Sequence, residues 1–377
     1  MRLLSVVLPT YNESKNIPIL IERLTKVLAK IDYEILVVDD NSPDKTYEIV
    51  DQIASKNPRV RCIRRIHERG LSSAVMTGMA SSSAKFYAVM DADLQHDEAI
   101  LPGLLKAVNE EGFDLAVGSR AAEDGSFGEF SRLRRFISWT ATRLAKMLLP
   151  GDVKDPLSGF VMVSREVFQQ AEEKINPLGF KILLEFLGRV PGLKVKEVGY
   201  TFRNRVHGET KLSGSVIRNY IVALMDLRFG HLVSPIFILY CLVGASGILV
   251  YFLTIAIGDW LGMPRIRDMG PPPFHSVPAS WLLGFALSVT NNYVWNNYIT
   301  FYERRHKSLR LLTGIITFFL ISLVGLLIQT SVSYLLASTG LLASNAGSGI
   351  NRGIGIIVAV ITNYYLNLNF TWRKQRR

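Results

Sequence analysis

The sequence predicts an α/β domain built on a mostly parallel sheet, followed by an interfacial helix and an α-helical domain of four membrane spans. Two observations carry that expectation. Up to about residue 232, short apolar runs alternate with amphipathic stretches, the pattern of a parallel sheet covered on both faces by helices. Beyond it, long stretches carry almost no charge, as segments embedded in lipid do.

In chain order, "LLSVVLP", "EILVVDD", "VRCIRR", "FYAVMDAD" and "DLAVGS" read as strands, with helical patterns between most of them. The first apolar run is too short for a secretory signal and reads as strand one, which places this half in the cytosol. Ligands of such sheets bind outside the carboxyl ends of the strands. Three of these ends are polar or acidic: Thr10, Asn12 and Glu13; Asp39 and Asp40; Asp91 and Asp93.

No G-x-G-x-x-G follows the first strand and no G-x-x-x-x-G-K-[ST] occurs, so a glycine-rich loop does not cradle phosphate. Acids crowded as in "YAVMDADLQHDE" repel one another unless a cation sits among them. Mg²⁺ or Mn²⁺, which binds through one or two carboxylates plus substrate phosphate, suits the pattern. D-x-D alone is more often a solvated turn, and Asp97 reads as the cap of the next helix. Two acidic strand ends on one rim are what point to a ligand. Asp93 is expected at the surface, where its loss leaves the fold intact.

The net charge of +11 over 377 residues admits anionic lipid or phosphorylated partners. No zinc finger, ribonucleoprotein motif or basic recognition helix supports nucleic acid. With Cys62 and Cys241 alone, a disulfide framework is excluded and thiolate metal chemistry disfavoured.

"SVIRNYIVALMDLRFG", residues 215 to 230, sets Val216, Ile217, Tyr220, Ile221, Leu224 and Leu227 at helical spacing, as an interfacial helix does; a helix packed on the soluble domain has the same periodicity. Four spans follow, at about 233–257, 279–301, 310–337 and 349–371. "YERRHKSLR" after the second and "WRKQRR" after the fourth put both on the cytosolic side. "NYVWNNYITF" from Asn292 and "NYYLNLNFTW" from Asn363 suggest two repeated hairpins related by an axis along the membrane normal. Asn292 and Asn296, like Asn363 and Asn367, share a helix face and are expected to bond across helices.

"VVLPTYNE", "VVDDNSPDKT", "RGLSSAVMTGM", "VMDADLQH", "VGSR", "DPLSGF", "NPLGFKILLE" and "RVHGETKL" together resemble the family 2 glycosyltransferases, and within them the branch that loads mannose onto polyprenyl phosphates. The likeness runs in order through about residues 3 to 214. It implies a GT-A, Rossmann-like fold, GDP-mannose as donor, dolichyl or another polyprenyl phosphate as acceptor, and inversion at the anomeric carbon.

By position, the likeness assigns Pro9, Tyr11, Glu13, Val38 and Asp40 to the nucleoside pocket. Asp91, Ala92, Asp93 and Gln95 become the donor-phosphate cluster, with Asp91, Asp93 and Gln95 holding Mg²⁺ or Mn²⁺. Arg120, Lys181, Arg205 and Lys211 fall on the donor, and Arg120, Arg134 and Lys181 on the acceptor phosphate, with Arg132 and Arg135 close enough to replace Arg134. Asp91, Arg120, Arg134 and Lys181 are the expected catalytic group. A phosphate acceptor is already anionic, so no general base is assigned.

The tail resembles the four-helix membrane domain of O-antigen glucosylation proteins, which allows anchoring, homo-oligomerisation or handling of the polyprenyl chain. The expected division is thus a catalytic domain over 1–214, a linker helix over 215–232 and a transmembrane domain over 233–377. The whole is a multi-pass protein of an archaeal or bacterial plasma membrane with its catalytic domain on the cytoplasmic face. A UDP-glucose donor is the nearest alternative, and a lipid-linked sugar carrier or flippase the alternative of another class.

Overall fold

The computed structural model describes the whole chain except residues 129–131, 150–151, 177–180, 205–213, 268–275, 340–344 and 374–377. Two compact units emerge, Met1–His231 and Leu232–Arg377.

The first unit opens with β1 (Leu4–Thr10), α1 (Ile17–Val27), β2 (Tyr33–Asp39), α2 (Thr46–Ala54), β3 (Val60–Arg64), α3 (Leu71–Ala80) and β4 (Phe86–Val89). It continues through a short 3₁₀ turn, α4 (Leu101–Asn109), β5 (Leu115–Ser119), α5 (Arg132–Leu148), β6 (Val161–Ser164), α6 (Arg165–Glu172), α7 (Ile182–Arg189), β7 (Val195–Gly199) and α8 (Gly214–Phe229). The seven strands form one sheet in the order β3-β2-β1-β4-β6-β5-β7.

β1 pairs in parallel with β2 and β4, and β5 with β7, whereas β6 runs antiparallel between β4 and β5. The five expected strands are therefore present, β6 and β7 are additions, and β6 alone runs against the otherwise parallel sheet. The chain order reverses between β1 and β4, and at such a switch point the connections leave on opposite faces and open a crevice.

Alternation along β1 explains the two covered faces. Leu4, Val6 and Leu8 bury against Ile17, Leu20 and Leu24 of α1 and Leu101 and Leu104 of α4. Val7 points the other way, with Leu36 and Val38, towards Ala74, Val75 and Met79 of α3. Helix α3 lies so close to the sheet that a Cβ at Gly78 would fall 2.5 Å from Val7 Cγ1. The expected linker helix is α8. Its Tyr220 and Leu224 bury against Ala145 and Leu149 of the α5 region and Leu184 of α7, and the Tyr220 hydroxyl donates to the Ala141 carbonyl at 2.6 Å.

The second unit comprises α9 (Pro235–Trp260), the short hairpin β8 (Arg265–Arg267) and β9 (Ser276–Pro278), α10 (Ala279–Trp295), α11 (Arg310–Ser338) and α12 (Asn345–Leu366). Three segments among the described residues are long and apolar enough to cross a membrane: Pro235–Trp260, Arg310–Ser338 and Gly349–Thr371. The expected second span is shorter as a helix, α10 having 17 residues before a π-helical turn, Asn296–Thr300.

The suspected repeat is visible in the side chains. Both matching segments end in a π-helical turn, Asn296–Thr300 and Asn367–Thr371. The equivalent rings Phe301 and Trp372 stack on each other, 4.4 Å between centroids. Tyr293 stacks on Trp372 and its counterpart Tyr364 on Phe301. Of the four asparagines expected to bond across helices, Asn367 does so, donating to the Tyr240 hydroxyl at 3.2 Å, whereas Asn292 and Asn363 pack against Gly247 and Gly325.

Candidate active site

The rim at the switch point is built first from the ends of β1 and β2. Thr10 donates to Asp39 Oδ2 at 2.9 Å, and the Ser42 amide donates to Oδ1 at 2.8 Å, so Asp39 ties the two strand ends together. Asp40 is held from the other side. Arg65, at the end of β3, donates through Nε to Asp40 Oδ1 at 2.7 Å, and the Gly70 amide donates to Oδ2 at 2.9 Å. Arg65 also reaches the Gly70 carbonyl at 3.0 Å and Ser73 Oγ at 2.9 Å, which fixes the loop before α3. That loop carries Arg69, whose guanidinium lies 5.1 Å from the centre of the Tyr11 ring. Asn12, Asn41, Lys45 and Leu94 take left-handed backbone angles at these strand ends, a cost of the kind that collects at functional rims.

The acidic cluster follows β4. Left-handed Leu94 (φ 64°) folds the chain back so that the Gln95 amide donates to Asp93 Oδ1 at 3.1 Å. Asp93 is buried rather than on the surface, because the Gln95 side chain and backbone pair with Arg203 at 3.1 and 2.9 Å and close the turn from behind. Asp97 caps the following turn, accepting from the Ala99 amide at 3.1 Å, as expected, and also receives Arg203 at 2.7 Å. Asp91 keeps an open face. A Cβ on Gly159, in "DPLSGF", would fall 2.9 Å from its Oδ2, so the wall is shaped around this carboxylate.

Of the expected cations, Lys181 sits at the start of α7 and lines the same space. Arg120 is tied down: its Nε and Nη2 donate to Asp155 at 2.7 and 2.8 Å, and Phe127 and Phe202 flank it at 5.3 Å. Burial works against its charge, but the hydrogen bonds and charge of Asp155 outweigh that and raise its pKa. Arg205 and Lys211 lie outside the described residues. Arg134 is placed in α5, and its side chain is likewise outside them.

These elements enclose a cavity of about 460 Å³. Pro9, Tyr11, Glu13, Asp40, Asp91, Ala92, Asp93 and Lys181 line it, joined by Arg69 and Gly70, which the sequence did not single out. Val38 is buried in the core beneath α3, and Gln95 and Arg120 stand behind the lining. Among the described residues no group of three or more His, Cys, Asp or Glu could hold a metal by itself. The donor set is two carboxylates and an amide, which fits an ion whose remaining ligands are phosphate oxygens and water.

A sheet with a switch-point cavity, a D-x-D turn facing a lysine, and membrane helices after it define a membrane-bound enzyme of the GT-A glycosyltransferase class. Residues 5–171 match the glycosyl transferase family 2 model, and residues 239–372 the GtrA/DPMS transmembrane domain. A dolichol-phosphate mannosyltransferase of Pyrococcus furiosus is 36% identical over 374 residues, 98% of this chain and 99% of its own. The Saccharomyces cerevisiae enzyme of that name is 38% identical over 240 residues, 60% of this chain and 88% of its own. Glucosyl-3-phosphoglycerate synthase of Mycobacterium tuberculosis aligns in structure at 21% identity, over 60% of this chain and 78% of that one, with a TM-score of 0.47. The chain belongs to glycosyl transferase family 2, in the dolichol-phosphate mannosyltransferase branch that carries a GtrA/DPMS transmembrane domain.

Proposed function

We propose that this protein transfers mannose from GDP-mannose to dolichyl or another polyprenyl phosphate, with inversion at the anomeric carbon. The observation that carries the reading is one cavity in which a proposed nucleoside rim (Pro9, Tyr11, Glu13, Asp40) meets an acidic pair and a lysine. The name of the Pyrococcus relative, which matches over the full length, supports mannose as the transferred sugar and dolichyl phosphate as acceptor.

Asp91 and Asp93, with Gln95 behind them, would hold Mg²⁺ or Mn²⁺. When bound, that ion supplies positive charge to the departing diphosphate. The chain's own groups do the rest. Lys181 offsets the repulsion between two anionic substrates, the Arg120–Asp155 pair fixes the wall beside it, and Glu13 and Tyr11 shape the nucleoside end. The acceptor phosphate is already anionic near neutral pH, so it can attack without a general base.

A lipid acceptor also requires a surface that meets the bilayer. Helix α5 turns Phe136, Trp139 and Met147 outward, and α8 turns out Ile217, Ile221 and Phe229. Apolar faces of this kind suit helices lying at headgroup level. The basic ends "YERRHKSLR" and "WRKQRR" favour the cytosolic side for the catalytic unit. Radiolabelled GDP-mannose, UDP-glucose and UDP-galactose offered with polyprenyl phosphate test the reading. Lipid-phase label from GDP-mannose alone is expected, and preferential use of a UDP-sugar would replace the donor.

A further inference from the structure

Behind the acidic pair lies His96, an imidazole that the chemistry above leaves without a role. It is only 3% exposed. Its ring lies nearly parallel to Phe160, 5.3 Å between centroids, with Tyr200 and Phe202 edge-on at 5.8 Å. A phenylalanine would fill such a box as well. An imidazole brings two nitrogens that need partners, and here both face one residue.

The Asp91 amide donates to His96 Nδ1 at 3.2 Å, which places the imidazole proton on Nε2. Nε2 in turn lies 3.9 Å from Asp91 Oδ2. The charged groups around the ring are Asp91 and Asp93 from the β4 end, Lys181 from the start of α7 and Arg120 from the end of β5.

We propose that His96 is a positioning residue that aims the Asp91 carboxylate at the donor diphosphate and its divalent ion through Nε2–H, while Nδ1 fixes the backbone at the end of β4. The proposal rests on Asp91 being an ion ligand. At 3.9 Å the Nε2–Oδ2 pair is roughly 1 Å beyond hydrogen-bond length, and on this proposal the Asp91 side chain turns to close it when the ion binds. On the same carboxylate oxygen, Gly159 leaves the room that a side chain would take. Asp91 Oδ2 thus lies between the imidazole and the Gly159 backbone. Groups that orient a ligating side chain in this way commonly account for 10–100-fold in metal affinity, by the usual order of magnitude.

Amide substitutions separate the two nitrogens. Glutamine can present an N–H near the place of Nε2, asparagine an acceptor near that of Nδ1, and both remove the same ring from Phe160. Free Mn²⁺ is measured by electron paramagnetic resonance in titrations of the full-length chain in detergent with GDP. Mn²⁺ affinity is expected to fall about tenfold or more in His96→Asn and His96→Phe and to stay within about threefold in His96→Gln. GDP binding without metal, and the melting temperature of the metal-free protein, are expected to be the same for the Gln and Asn variants. Equal losses in those two, no loss in either, or the larger loss in His96→Gln would overturn the role. Asp91→Asn serves as the reference. If it retains Mn²⁺ affinity the ion assignment itself fails, whereas if it loses affinity while the His96 variants match one another, only the positioning role fails.

Discussion

Arg120 grips both oxygens of Asp155, Nε at 2.7 Å from Oδ2 and Nη2 at 2.8 Å from Oδ1, in a two-pronged pair that is almost fully out of water. Asp155 also receives the Arg120 backbone amide at 3.1 Å and is itself positioned by Glu197, which accepts from the Asp155 amide at 3.0 Å. The guanidinium that the sequence offered as a phosphate clamp therefore stands first as a structural fork between the β5 end and the "DPLSGF" turn. Breaking one side of a buried pair leaves an uncompensated charge, so Asp155→Ala should destabilise the first unit by about 3 kcal/mol. Arg120→Lys should recover little, because an ammonium cannot reproduce the fork. Chemical denaturation of the full chain checks both, and a native-like midpoint for Asp155→Ala would remove the fork from the account.

Asp93→Asn is the sharper test of the acidic pair than removal to alanine. The side chain is buried and accepts the Gln95 amide, which an asparagine oxygen can still do. Transfer should drop by about a hundredfold or more, the scale seen when an electrostatic contact made in the transition state is lost. The melting temperature should stay near that of the native chain. Native turnover with added Mn²⁺ would count against the pair, as would full activity under strong chelation.

Lys181 lines the same cavity as the proposed nucleoside rim. Lys181→Ala is expected to raise the KM for polyprenyl phosphate, or lower kcat, by roughly ten- to a hundredfold, the worth of one charged hydrogen bond. GDP affinity, measured by calorimetry, should be unchanged. An equal loss of GDP affinity would move this lysine to the donor.

Glu185 is buried under α8, where it accepts the Asn176 amide at 3.2 Å and Arg189 Nε at 3.3 Å. Arg189 also bonds Asp226 of α8, so one guanidinium joins two carboxylates. Burial raises the Glu185 pKa above its ordinary value in spite of these partners. The folded state then binds this proton more tightly than the unfolded one. Its contribution to stability is complete below the unfolded value of 4.5 and is lost as pH rises through the higher folded value. Glu185→Gln cannot ionise, so its melting temperature relative to the native chain should climb between pH 4.5 and neutrality. A constant difference across that interval would show that Glu185 does not titrate there.

In the second unit, Trp372→Ala removes a ring that touches Phe301, Tyr293, Phe318 and His306. A loss of about 3–5 kcal/mol is expected, as for other large core rings. A double-mutant cycle with Phe301→Ala should return a coupling near 1 kcal/mol if the stack itself matters. Additive effects in thermal melts would reduce the pair to independent fillers.

The parts legible in the sequence share one property: their signal is local. β1 to β5 announce themselves because each apolar run stops at a turn or an acid, and Glu13, Asp40, Asp91 and Asp93 stand at those stops, whereas Pro9 and Tyr11 are reached only through the family likeness. β6 is only four residues long and runs straight into α6, capped by its own Ser164, so no turn separates them. β7 is half-buried and carries Lys196 and Glu197, which blurs its period. The partners of the site were harder still. Arg65 meets Asp40 across 25 residues, Arg120 meets Asp155 across 35, and Arg203 meets Asp97 across 106. Nothing in a local pattern chooses among the many arginines available for such a role. For the same reason burial of Asp93 was not foreseen, since Arg203 closes its turn from far along the chain.

The insertion of β6 between β4 and β5 has a bearing on how the molecule comes into being. A nascent polypeptide that has reached the end of β5 already owns every acidic strand tip, yet Gly159 and Asp155 arrive only with the segment around β6. Until that late strand slots into the middle of the sheet, Asp91 has no wall and Arg120 no anchor. The proposed nucleotide and ion site is therefore complete only in the finished sheet, and GDP present during refolding should draw the population towards completion by mass action.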